Sequence, residues 1–123
     1  MNKALFSSDK EDWETPQDLF DKLNKEFKFT VDVASSDKNY KVKKHYTIKD
    51  DGLSKDWNNE VVWCNPPYGR EIKKWVKKAW ESNALVVMLL PARTDTKWFH
   101  NYIYNKDSVK ISFIKGRLKF VRS

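Results

Sequence analysis

The fold turns on Val61-Val62-Trp63-Cys64-Asn65-Pro66-Pro67-Tyr68-Gly69, an apolar run that ends in two prolines. Each proline holds its own φ at about −65°, gives up its N–H and pushes the residue before it into extended geometry. Val61 to Cys64 therefore reads as a strand, and Asn65 leaves it stiffly extended. The Asn65 amide and the Pro66 carbonyl are presented as hydrogen-bond acceptors, with an aromatic ring following at Tyr68. Asn-Pro-Pro also makes a good plain turn, because Asn tolerates turn conformations and Pro initiates them. The four residues alone divide evenly between a reactive loop and such a turn, so their surroundings decide.

Downstream, Glu71 to Ser82 places Ile72, Trp75, Val76, Ala79 and Trp80 on one helical face. Lys73, Lys74, Lys77 and Lys78 lie largely away from that face, either as a solvated surface or as contacts to a polyanion. Trp75 and Trp80 fall on the apolar stripe and read as core. The run Leu85-Val86-Val87-Met88-Leu89-Leu90 has no polar alternation, which predicts a strand buried on both faces, as in parallel sheets. Thr94 or Asp95 is expected to cap a helix carrying Trp98, Phe99, Tyr102 and Ile103. Val109, Ile111 and Phe113 alternate with polar residues as in a half-buried strand, and Gly116-Arg117-Leu118-Lys119-Phe120 begins another.

Upstream, Thr15 is expected to cap a helix with Pro16 in its first turn and Asp18 near its positive end. That helix buries Leu19, Phe20, Leu23 and Phe27. A strand follows at Phe29 to Val33. Residues 35–50 are polar and lysine-rich and predict a loop with a helical turn or a short strand near His45 to Ile48. Asp50-Asp51-Gly52 is a turn, and a short helical turn is expected around Trp57. The order helix, strand, strand, helix, strand, helix, strand, strand predicts an α/β fold, with helices packed on a mostly parallel sheet. Ligands of such sheets bind outside the carboxyl ends of the strands. Asp32, Asn65 and Arg93 stand at or just beyond three such ends.

The chain has 123 residues, enough for one core and one domain, residues 1–123. A 40% hydrophobic and 15% aromatic content, with six tryptophans, argues against disorder despite the charge. The net charge of +7 fits a polyanionic partner such as nucleic acid, or serves solubility. One cysteine excludes an internal disulfide framework and a Cys-based zinc site, and two distant histidines, His45 and His100, give no metal spacing. The first eight residues have no signal-peptide core, and the longest apolar run, Ala84 to Leu90, is too short to span a bilayer. A cytoplasmic protein without metal is expected.

Taken together, these residues resemble the phage-type DNA N6-adenine methyltransferase family, often described as Dam-like. The pattern runs from Trp13-Glu14-Thr15-Pro16 through Phe29-Thr30-Val31-Asp32-Val33-Ala34-Ser35 and Asp51-Gly52-Leu53 to Asn65-Pro66-Pro67-Tyr68-Gly69. It continues with Trp75, Leu90-Pro91-Ala92-Arg93-Thr94-Asp95-Thr96, Trp98-Phe99-His100 and Gly116-Arg117-Leu118-Lys119-Phe120. The resemblance implies a Rossmann-like fold dependent on S-adenosylmethionine, with helices on both faces of the sheet. It also implies transfer of a methyl group to N6 of adenine in DNA. Asn65, Pro66, Pro67 and Tyr68 would be catalytic: the Asn65 oxygen and the Pro66 carbonyl accept the two hydrogens of the amine, and Tyr68 stacks on a base flipped out of the duplex. Thr15, Pro16, Asp32, Ala34 and Asp51 would bind the cofactor. Thr15 serves equally as a helix cap, and Asp51 as a turn former. Arg70, Arg93, Lys97 and Arg117 would contact DNA phosphates.

Cys64 precedes Asn65 within a strand, where a small buried residue fits better than the nucleophile of cytosine-C5 enzymes. The glycine-rich cofactor loop common among methyltransferases is absent; Asp32-Val33-Ala34-Ser35 stands in its place. Family members usually continue past the Arg-Leu-Lys-Phe strand, so this chain is expected to lack the last strand. It would then leave the C-terminal strand as an open edge through which copies associate into a homo-oligomer. Other functions remain open at this point: a non-catalytic nucleic-acid-binding relic, or methylation of an RNA adenine or a protein glutamine amide.

Overall fold

The computed structural model describes residues 15–91, 96–114 and 117–122, with side chains described only as far as residue 109. Helix α1 (Gln17–Phe27) is followed by strand β1 (Val31–Asp32), a 3-10 turn (Gly52–Ser54), strand β2 (Val61–Cys64) and helix α2 (Ile72–Glu81). Strand β3 (Leu85–Pro91), helix α3 (Lys97–Tyr102) and the hairpin strands β4 (Val109–Ile114) and β5 (Arg117–Arg122) complete the described chain.

The five-stranded sheet has the order β1-β2-β3-β5-β4. Parallel pairing joins β1 to β2 and β2 to β3, with Asp32 opposite Trp63 and Cys64 opposite Met88. Strand β5 is antiparallel to both β3 and β4. It follows that β4 points the same way as β3, and β5 alone opposes the other four strands. The expectation of an α/β fold with a mostly parallel sheet holds.

Burial follows the strand period of two. Val62, Cys64, Val86, Met88 and Leu90 pack in one cluster with Ile72, Trp75, Val76 and Ala79 of α2 and Trp98 and Phe99 of α3. Trp63, Val87 and Leu89 point the opposite way, against Phe20 and Leu23 of α1 and Phe29. Helices therefore cover both faces. Strand β3 is buried from Val86 onward on both sides, which is why its sequence shows no alternation.

Three local expectations are corrected. Thr15 does not cap α1: the position before the helix is Pro16, and no side chain caps that end. Helix α3 is capped by Thr96, whose hydroxyl accepts from the Phe99 N–H; Thr94 and Asp95 lie outside the described residues. The helical turn expected around Trp57 lies earlier, at Gly52–Ser54, and Trp57 is held to it by a bond from its indole N–H to the Gly52 carbonyl at 2.9 Å.

The largest correction concerns the C-terminal strand. Residues 117–122 lie between β3 and β4 with a register of paired residues on both sides, so the strand is interior and is not an open edge. A hairpin that returns between its own first strand and β3 satisfies both rows of backbone groups of β5. The self-association expected through that edge loses its basis. The outer side of β1 is occupied too: the Asp32 N–H bonds to the Lys44 carbonyl at 3.0 Å and the Tyr46 N–H to the Asp32 carbonyl at 2.9 Å. The short strand expected near His45 is this single parallel bridge between His45 and Asp32.

Candidate active site

A cavity of about 430 Å³ opens at the carboxyl ends of β1 and β2, within the size range of small-molecule sites. Asp32, Val33 and Ala34 form one part of its wall, Asn65 and Pro67 another, and Asp51 and Gly52 a third. Thr15 reaches it from the start of α1, and Trp63 and Trp75 supply apolar surface. Two consecutive parallel strands thus deliver Asp32 and Asn65 to one hollow, because parallel neighbours end on the same side of a sheet.

The third wall depends on a close approach. A Cβ on Gly52 would stand 2.0 Å from the Val33 carbonyl oxygen, so only glycine lets this turn pack against the end of β1. Asp51 before it has φ 58°, a left-handed conformation that Asp tolerates better than most residues. Trp57 clamps the turn from below through its indole N–H and stacks on Trp75 at 6.2 Å between ring centroids.

Asp32 is 2% exposed. Its Oδ2 accepts from the Lys41 N–H at 2.9 Å and its Oδ1 from the Ala34 N–H at 3.3 Å. Burial pushes its pKa up to about 6, against the lowering effect of those two N–H groups and of the nearby His45 and Lys41 charges. A carboxylate so desolvated gains most from a cationic ligand.

Asn65 is half-buried, and its side-chain N–H donates to the Thr15 hydroxyl at 3.1 Å. Thr15 is itself buried, at 4% exposure. Pro66 is buried and Pro67 is exposed at the cavity wall, while Tyr68 is half-buried against the core cluster of α2 and does not line the cavity. Gly69, at φ 128°, turns the chain into α2. Cys64 is fully buried and burial pushes its thiol well above its usual pKa, which suits a packing role and not a nucleophile.

Of the residues expected to bind cofactor, Thr15, Asp32, Ala34 and Asp51 converge on the cavity, whereas Pro16 stands outside its wall at the helix start. Of those expected to meet DNA, Arg70 is exposed in the turn before α2 and Lys97 is exposed at the start of α3. Arg117 pairs through its backbone with Pro91, at the carboxyl end of β3, but its side chain and all of Arg93 lie outside the described residues. The sequence reading missed Gly52, Trp63, Lys41, Tyr46 and Glu71 as wall residues, and took Trp75 as core alone. Only Gly52 carried a signal, as the glycine of an Asp-Gly turn. No group of metal-ligating side chains and no helix long and apolar enough to cross a membrane occurs among the described residues.

Comparison with known proteins adds a finding independent of this geometry. The family profile described as DNA N-6-adenine-methyltransferase (Dam) matches residues 3–123. A DNA N-6-adenine-methyltransferase of Haemophilus phage HP1 is 31% identical over 121 residues, covering 94% of this chain and 69% of the relative. One from Escherichia phage T1 is 36% identical over 92 residues, covering 71% of this chain and 38% of the relative. No solved structure gives a significant match.

Proposed function

The chain belongs to the DNA N-6-adenine-methyltransferase (Dam) family, and from that membership we propose that it methylates N6 of adenine in DNA with S-adenosylmethionine as donor. The observation that carries the reading is the convergence of Asp32 and Asn65, from the ends of adjacent parallel strands, on one cavity. The phage origin of the relatives supports action in a host cytoplasm.

The cavity fits the donor by its chemistry. S-adenosylmethionine is cationic at its sulfonium and ammonium, has ribose hydroxyls and carries an aromatic base. Against these the cavity sets the desolvated Asp32 carboxylate, the Asp51 carboxylate and apolar surface from Trp63 and Trp75. Asp32, Ala34 and Asp51 would hold the donor, with Thr15 beside them. The donor supplies an electrophilic methyl group.

Everything else falls to the chain. Adenine N6 is a poor nucleophile because its lone pair is delocalised into the ring. The Asn65 side-chain oxygen and the Pro66 carbonyl accept its two hydrogens, which draws the nitrogen toward tetrahedral geometry and frees the lone pair. The two prolines hold the Pro66 carbonyl and the Asn65 backbone rigidly, so little backbone reorganisation is needed during reaction. Tyr68 offers a ring for stacking on the extruded base. Arg70 and Lys97, exposed beyond the cavity, meet phosphates.

Labelled S-adenosylmethionine incubated with unmethylated DNA tests the reading, with RNA and glutamine peptides as parallel acceptors. Label should enter DNA as N6-methyladenine, and Asn65→Ala should lower the rate by roughly 10²–10³, the usual cost of one aimed dipole. Label confined to RNA or peptide, or near-normal turnover by the Asn65 variant, would refute it.

A further inference from the structure

We propose that Thr15 is a positioning residue for Asn65: its buried hydroxyl holds the side-chain amide so that the carbonyl end faces the reacting amine. The inference rests on the reading of Asn65 given above and adds a residue to it.

An Asn side chain has two ends of nearly equal shape and opposite hydrogen-bonding character. Only the carbonyl end can accept a hydrogen from an amine. Half a turn about the last side-chain bond would present N–H groups to another hydrogen-bearing nitrogen and leave the lone pair undisturbed. The prolines fix the Asn65 backbone but not this torsion, so a side-chain partner must set it. In the structure the Asn65 amide nitrogen donates to the Thr15 hydroxyl at 3.1 Å, across 50 residues of sequence.

Thr15 is well built for this task. It is 4% exposed, and a hydroxyl so buried is costly unless it is hydrogen-bonded. It is not used as the cap of α1, where its sequence position would put it. Pro16 restricts Thr15 to extended geometry, and the Phe20 N–H bonds to the Pro16 carbonyl at 3.1 Å, tying this segment to the first turn of the helix. The branched side chain has few rotamers to lose. A hydroxyl can bond either end of an amide, but here it accepts from the Asn65 N–H, which leaves the carbonyl end on the other side.

The test compares Thr15→Val, which replaces the hydroxyl by a methyl group, with Thr15→Ser, which keeps the hydroxyl. Melting curves accompany both, and Thr15→Ala replaces the valine variant if that one does not fold. A misaimed catalytic group should lower kcat roughly 10- to 100-fold in Thr15→Val. Cofactor affinity by calorimetry should stay within about twofold, and Thr15→Ser should recover most of the rate because the hydrogen bond is restored. In an Asn65→Ala background Thr15→Val should add almost nothing, since residues acting through one another are non-additive. Lost cofactor affinity with kcat retained would overturn the proposal and leave Thr15 as a cofactor contact. So would a serine variant as slow as the valine one, or additive losses in the double variant. A wild-type chain that methylates no DNA adenine would refute the function itself. A chain that does, with kcat indifferent to Thr15→Val, would refute only the positioning role.

Discussion

At Asp32 folding and ligand binding make opposite demands on one carboxyl group. Burial raises its pKa from an ordinary 3.8 to about 6, so between those values the unfolded chain ionises while the folded chain holds the proton. The stability this group contributes is full below pH 4 and is lost as pH rises to about 6, a change on the order of 3 kcal/mol. A cationic ligand needs the ionised form, so cofactor affinity should rise across the same window. Asp32→Asn is expected to weaken cofactor binding and flatten its pH dependence. The same variant should gain stability relative to the parent as pH goes from 4 to 7. Calorimetry and thermal melts between pH 4 and 8 check both, and a parallel pH response in parent and variant would contradict the account. Gly52 offers a steric counterpart. With a Cβ it would meet the Val33 carbonyl oxygen at 2.0 Å, so Gly52→Ala must push the turn off the end of β1. Overpacking of this kind costs about 1–3 kcal/mol and should also widen the cavity. An unchanged melting temperature with normal cofactor affinity would show that the turn yields freely.

Among the elements, the segment from Asp37 to Tyr46 behaves as a strap across β1. It supplies the Lys41 N–H to the Asp32 carboxylate and closes a backbone bridge on either side of His45. The His45 ring stacks flat on Tyr40 at 4.0 Å, with Nδ1 2.8 Å from the Lys43 carbonyl and Nε2 3.1 Å from an Asp37 oxygen. Two oxygen neighbours suit the protonated ring, which has two donors. Its pKa is raised, by the Lys43 carbonyl first and by Asp37 after it. The contribution of His45 to the strap is therefore complete below the ordinary value of 6.5 and fades as pH rises through the folded one. The Tyr46 N–H, which bonds to the Asp32 backbone carbonyl, is the reporter least affected by the Asp32 carboxylate. Its exchange protection, corrected for intrinsic pH dependence, should fall as pH rises above 6.5 in the parent and be low throughout in His45→Ala. Equal protection in both proteins would remove His45 from the strap.

For the whole molecule the net charge of +7 sets the terms of association with a polyanion. Binding to duplex DNA should weaken steeply with salt, each neutralised phosphate adding roughly 0.9 to the slope of log K against log salt. Helix α2 carries Lys73 and Lys77 exposed on its outer face, beside the turn that holds Arg70. Replacing both lysines by Gln should lower the slope by up to about 2 if they touch phosphates. A salt response that is flat in the parent would exclude an electrostatic interface. What could be read along the chain was whatever depends on near neighbours: the amphipathic period of α2, the doubly buried run of β3, the stiff exit from β2 at Asn65, and from their order the α/β layers. These are local because proline restraints, hydrophobic period and strand burial act over a few residues. The slot taken by β5 could not be read that way, since insertion between β3 and β4 depends on which distant backbone groups it satisfies. The contact of Thr15 with Asn65 was equally hidden: along the chain Thr15 reads as a cap or, by resemblance, as a cofactor contact, and only folding brings it to Asn65. Gly52 against Val33 and the strap over Asp32 belong with these, because each is a contact between segments that only the tertiary fold brings together.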